Sequence, residues 1–190
     1  SRLRIPFDTV QFFRFYYNQY DPIERKFQKI VYELEKRLKE RYSFEIPRNK
    51  IIELLENKKK ISYKEVYSTI MVETYCGGNN DLRWGEKTVL EWSKIPTFLE
   101  MFPNGKAIHI IRDPRDVLVS YKNYTVEPKY RYLDAVFACL NSMNWCINKG
   151  LSLPNDKYYV LRFEDLIKAP KKTIKDVSSF LKIKYEETML

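Results

Sequence analysis

Glycine is scarce in this chain, with 5 among 190 residues, and histidine is scarcer, with one copy at His109. A phosphate loop of the Gly-x-x-x-x-Gly-Lys-Ser/Thr kind needs a strand before its glycines and a lysine behind them. The adjacent pair Gly77-Gly78 has neither a preceding strand nor a following Lys-Ser/Thr. With Asn79-Asn80 it reads as a helix end and turn, where these residues accept positive φ. Cysteine is rare too, and Cys76, Cys139 and Cys146 show no metal-ligand spacing. Cys139, Met143 and Cys146 share one helical face, the pattern of buried thiols. Their odd number points to a reducing compartment, so the expected localisation is cytoplasmic, with an anchor upstream of Ser1 left open. No apolar run approaches the roughly 18 residues that a membrane-spanning helix needs, and no signal peptide opens the chain. No repeat or linker is visible, so residues 1–190 read as a single domain with a real core.

What is present is apolar substance and positive charge. A hydrophobic fraction of 44% with 31% charged residues describes a globular chain rather than a disordered one. The net charge of +9 suits an anionic ligand. Tight basic runs are confined to Lys58-Lys59-Lys60 and Lys171-Lys172, and elsewhere lysines alternate with glutamates. Nucleic acid is therefore not the expected partner.

Taken in order, residues 1–20 are crowded with aromatics, including Phe12, Phe13, Phe15, Tyr16 and Tyr17, and read as a helix buried in the core. Asp21-Pro22 starts a second helix, with Asp21 as N-cap and Glu24 completing a capping box. Its stripe is Ile23, Phe27, Ile30, Val31, Leu34 and Leu38. Pro47 opens a shorter helix, and Ser62-x-x-Glu65 caps another. Trp84–Lys87 reads as a strand end, and Glu91–Phe102 as a helix begun or kinked at Pro96. Further on come a helix over 130–149, a strand over Tyr158–Arg162, and a helix from Pro170 with Ile174, Val177, Phe180 and Leu181 inward.

The organising stretch is Lys106–Ser120. Ala107–Ile111 is a short apolar run of the kind parallel sheets bury on both faces. Pro114 ends it, and a helix follows with Asp113 or Asp116 as cap. A basic side chain, Arg112, thus stands at the carboxyl end of a strand beside a helix start, where open α/β sheets bind anions. Strands alternating with helices predict an α/β sandwich on a parallel sheet, although only three strands are legible.

Ile110-Ile111-Arg112-Asp113-Pro114-Arg115-Asp116-Val117-Leu118-Val119-Ser120 resembles the 3′-phosphate-binding motif of sulfotransferases that use 3′-phosphoadenosine 5′-phosphosulfate (PAPS). Trp84-Gly85-Glu86-Lys87-Thr88 and Tyr158-Tyr159-Val160-Leu161-Arg162-Phe163-Glu164-Asp165-Leu166 fit that family in the same order. The resemblance implies a helix-rich, three-layer α/β sandwich with a central parallel sheet, like phosphate-loop nucleoside kinases. It implies sulfuryl transfer from PAPS to a hydroxyl or amine acceptor, with PAP as product and no metal. Nothing here resembles the family's Pro-Arg-Ser-Gly-Thr-Thr loop for the 5′-phosphosulfate, which would belong before Ser1. The chain is therefore expected to be truncated at both ends. A non-catalytic sulfotransferase-like nucleotide-binding or scaffold protein, and a phosphate-loop nucleoside kinase relative, are the alternatives.

Within this resemblance Arg112 and Ser120 are the expected 3′-phosphate ligands, and Phe163 is expected near adenine, keeping a stacking face without a tyrosine hydroxyl. Lys87 is the expected point charge near the transferring group, although Val89 replaces a proline common there. Glu86 is a candidate general base, set against a role as a cap or ion-pair partner. Arg115 reads as a structural ion-pair residue and His109 as a core histidine.

Overall fold

The computed structural model describes residues 3–6, 10–122 and 132–190. The chain divides into two compact units, Ser1–Glu91 and Trp92–Leu190. The first holds β1 (Leu3–Arg4), α1 (Phe12–Phe15), α2 (Ile23–Tyr42), α3 (Arg48–Glu56), α4 (Tyr63–Tyr75) and β2 (Arg83–Trp84). β1 and β2 pair in parallel. The second holds α5 (Ile95–Met101), β3 (Ala107–Ile111), α6 (Pro114–Lys122), α7 (Tyr132–Asn148), β4 (Tyr158–Arg162), α8 (Phe163–Lys168) and α9 (Pro170–Leu181). β3 and β4 run parallel, with Ala107 opposite Tyr158 and Ile111 opposite Arg162. The class is α/β, helix-rich with parallel strands. Among the described residues the strands form two separate pairs.

The α2 stripe is buried along its whole length, from Ile23 to Leu38. It packs with α3 and α4, which contribute Ile51, Leu55, Val66, Ile70 and Met71 to the same core. The start of α2 differs from expectation. Pro22 takes the cap position in extended backbone without a side-chain cap, and the Asp21 carboxylate instead accepts the Tyr63 hydroxyl at 3.2 Å. Ser62 does cap α4: its Oγ accepts the Glu65 N–H at 3.4 Å while its hydroxyl donates to the Glu65 carboxylate. Gly77 and Gly78 close that helix at φ 60° and 80°, and the Gly78 N–H reaches back to the Val72 carbonyl at 3.1 Å.

Residues 1–20 do not form the single helix expected of them. The described part contains a two-residue strand and a four-residue helix. Gln11 precedes that helix in the left-handed region at φ 47°, so it cannot be a helical residue. The aromatics enter the core nonetheless, with Phe12, Phe13 and Tyr16 buried.

In the second unit β3 is not buried on both faces, because Ile110 is 57% exposed. Among the described residues β3 has β4 as its strand partner and none on its other edge. His109 is buried, with Nδ1 2.7 Å from the Tyr158 hydroxyl and Nε2 2.6 Å from Ser142 Oγ. Desolvation pushes its pKa below the ordinary histidine value. Gly150 lies against this group: a Cβ there would come within 2.6 Å of the Tyr158 hydroxyl oxygen. On α7, Cys146 is buried and Cys139 partly so, while residues 130 and 131 of the expected helix lie outside the described residues. On α9 the expected Ile174, Val177, Phe180 and Leu181 are only half-buried, and Thr173 and Ser178 are the buried positions. Their hydroxyls tolerate this because they donate to the Ala169 and Ile174 carbonyls at 2.9 and 2.8 Å.

Candidate functional site

The parallel register places Ile111 opposite Arg162, so the next residue of each strand, Arg112 and Phe163, emerge side by side at the carboxyl ends. The Arg112 guanidinium lies over the Phe163 ring, 4.6 Å from its centroid, a cation–π contact. Its Nε is buried and, among the described residues, has no hydrogen-bond partner. A buried guanidinium nitrogen left unpaired costs about 1–3 kcal/mol or more unless a ligand satisfies it.

The surrounding backbone is tied down on several sides. The Asp113 N–H donates to Glu164 Oε1 at 2.7 Å, joining the turn after β3 to the first turn of α8. That bond, with one from its own backbone, holds the Glu164 carboxyl below its ordinary pKa. The Arg112 carbonyl accepts the Cys139 thiol at 3.2 Å. Asp113 caps α6, accepting the Arg115 N–H at 2.8 Å. The Arg115 guanidinium reaches the same carboxylate at 2.6 Å, and these bonds bring the Asp113 pKa down to about 2. Asp113 thus engages Arg115, while Arg112 keeps a donor that is unpaired among the described residues. Ser120 lies on the exposed side of α6, and residues 123–131 beyond that helix lie outside the described residues.

Glu86 and Lys87 belong to the first unit, in the irregular segment after β2. Glu86 points inward. Its carboxylate accepts the Gln11 N–H and the Tyr67 hydroxyl, and takes a longer bond of 3.5 Å from the Phe12 N–H. Burial raises its pKa from 4.5 to about 7, opposed by those bonds and the Arg37 charge. Tyr67 is pushed well above 10 by burial and by Glu86. Lys87, the next residue, is exposed.

The structure therefore brings Arg112 and Phe163 together, and sets Ser120 further along the helix that follows Arg112. Sequence reasoning did not find the stacking of Arg112 on Phe163, the Asp113–Glu164 tie, or the donors around Glu86. The first was available in principle, since each residue stands one position past a strand of a parallel pair. The others join residues 19 to 75 positions apart and leave no local pattern. A cavity of about 280 Å³ lined by Tyr159, Arg162, Asp165, Lys168, Lys172 and Thr173, among others, includes none of the expected site residues. Among the described residues no cluster of His, Cys, Asp and Glu is arranged to hold a metal ion.

Comparison with known proteins agrees with this architecture. The sequence model of the sulfotransferase family matches residues 3–187. The solved sulfotransferase domain from the curacin biosynthetic pathway is similar at 19% identity and a TM-score of 0.53, over 96% of this chain and 63% of that one. The sulfotransferase domain from the Synechococcus PCC 7002 olefin synthase is similar at 16% identity and a TM-score of 0.54, over 97% of this chain and 63% of that one. The chain thus spans less than two thirds of those domains, and the likeness concerns the fold. No curated protein matches.

Proposed function

Because the chain belongs to the sulfotransferase family, we propose that it takes part in sulfuryl transfer from PAPS to a hydroxyl or amine acceptor, with Arg112 holding the 3′-phosphate of the nucleotide. The observation that carries this reading is the buried Arg112 Nε, without a partner among the described residues, on a guanidinium braced over Phe163. A phosphate oxygen supplies the acceptor this nitrogen lacks, and guanidinium suits phosphate because its donors form a planar fork. Ser120 adds a hydroxyl from the same strand–helix unit. The Phe163 ring offers its other face to adenine, with one face committed to Arg112.

In the reaction the acceptor oxygen or nitrogen bonds to sulfur, the bond from sulfur to the nucleotide phosphate breaks, and the acceptor's proton departs. The protein's share is positioning and charge neutralisation. Lys87 supplies a point charge for oxygens that gain negative charge.

Calorimetric titration with 3′-phosphoadenosine 5′-phosphate and with adenosine 5′-phosphate tests the reading. Arg112→Ala should weaken the 3′-phosphorylated nucleotide by about ten- to a hundredfold, the range of one charge-assisted hydrogen bond. It should barely change adenosine 5′-phosphate. Ser120→Ala should act in the same direction and less. Equal losses for both nucleotides would mean that Arg112 supports the fold rather than the phosphate.

A further inference from the structure

The segment that carries Lys87 is fastened residue by residue. Trp84 packs edge-on against the Tyr67 ring, with centroids 5.0 Å apart. The Gly85 N–H donates to the Arg4 carbonyl at 2.9 Å. The Glu86 carboxylate then accepts the hydroxyl of the same Tyr67 and the N–H groups of Gln11 and Phe12. Tyr67 is itself closely packed, being 2% exposed and stacked on Phe12 at 4.3 Å with 5° between the rings. Trp84 and Glu86, two residues apart, therefore grip one buried tyrosine at its ring and at its hydroxyl. Gln11, held in the left-handed region, gives up its N–H to Glu86, and that bond offsets the cost of the conformation. Lys87 is the first exposed residue after this anchorage.

We infer that Glu86 is the positioning residue for Lys87: it clamps the Trp84–Glu86 segment to α1 and α4, and does not take the acceptor's proton. This rests on the reading of Lys87 proposed above. A carboxylate has room for about four donors, and at least three are already served by protein groups. A general base must instead reach the acceptor's proton within hydrogen-bonding distance. The clamp does not require a charge. A glutamine can accept the Gln11 N–H through its oxygen and donate its amide to the Tyr67 oxygen, which accepts as well as donates. It then forgoes the 3.5 Å bond from Phe12 and the bond that the Tyr67 O–H donated, while keeping contact with both Gln11 and Tyr67.

Steady-state sulfuryl transfer and the ¹³C signal of reductively methylated Lys87 together test this. Glu86→Gln should lower kcat by no more than about tenfold, whereas removal of a general base costs about 10²–10⁴-fold. Glu86→Ala should lower kcat by about a hundredfold, the effect of misplacing a charge by about 1 Å, with little change in KM. In a Lys87→Ala background Glu86→Ala should add almost nothing, because its effect runs through Lys87. A full additional loss in that background would overturn the inference, as would a Glu86→Gln enzyme as impaired as Glu86→Ala. The Lys87 signal should narrow in Glu86→Ala and stay broad in Glu86→Gln. An unchanged signal in Glu86→Ala overturns the clamp whatever the kinetics. If Lys87→Ala leaves kcat intact while the signal responds as expected, the clamp stands and the proposed role of Lys87 falls.

Discussion

Glu86 in the first unit and Asp113 in the second do the same local work. Each offers a carboxylate to unpaired N–H groups at the start of a helix. Their proton affinities nevertheless move in opposite directions, Glu86 up to about 7 and Asp113 down to about 2. Asp113 caps the helix it adjoins, beside the exposed Arg115, and water still screens the group. Glu86 caps a helix from 74 and 75 positions away in sequence. To reach it, the carboxylate must leave water, and the desolvation penalty on its charge outweighs its three hydrogen bonds. Hydrogen bonding to the charged form lowers a carboxyl pKa only where the bonds exceed the cost of burial. A local cap meets that condition easily and a long-range one does not.

The strongest way to break this contrast is to delete the buried carboxylate. Glu86→Ala leaves two backbone N–H groups and the Tyr67 hydroxyl without their acceptor, and should destabilise the protein by about 3–5 kcal/mol in urea unfolding. Asp113→Ala should cost clearly less, since water replaces the lost acceptor. Comparable losses would show that the burial around Glu86 is not what distinguishes the two.

A smaller effect separates them by pH. A folded pKa of about 7 against 4.5 for the ordinary carboxyl means that the folded state holds the proton more tightly. The corresponding stabilisation is complete below pH 4.5 and lost as pH rises through 7, in total about 3 kcal/mol. Urea midpoints at pH 5 and pH 8 should therefore differ less in Glu86→Gln than in the parent protein. An unaltered difference would place the Glu86 carboxylate in water.

The smallest effect lies at Asp113, where the sign reverses. Its depressed pKa contributes stability above the ordinary value of 3.8, lost as pH falls toward 2. Asp113→Asn keeps an oxygen for the Arg115 N–H, so thermal unfolding at pH 7 should be nearly unchanged, as expected for an exposed ion pair. The variant should lose less stability than the parent between pH 4 and pH 2. A large loss at pH 7 would mean that the Asp113–Arg115 pair is shielded from solvent.

The same division between local and long-range chemistry separates what the sequence by itself determined from what the tertiary structure decided. The α2 stripe, the Ser62–Glu65 cap, the Gly77-Gly78 helix end, strand β4 and the Asp113 cap were all legible. Each is set by residues within a few positions, through periodicity, capping or steric limits on φ. Arg112 was marked as a candidate by the strand–turn–helix it occupies, and Ser120 by the resemblance of that stretch to the family motif. Strand β1 was not legible, because two residues show no alternation, nor was the break at Gln11, which depends on an acceptor at Glu86. The extended cap at Pro22 displaced Asp21 toward Tyr63, again a long-range partner. The parallel register decided that Arg112 rests on Phe163, and burial decided that Glu86 holds its proton near neutrality. A helix start or a glycine turn is specified by nearby atoms, whereas a carboxylate's proton affinity depends on every group that keeps water from it.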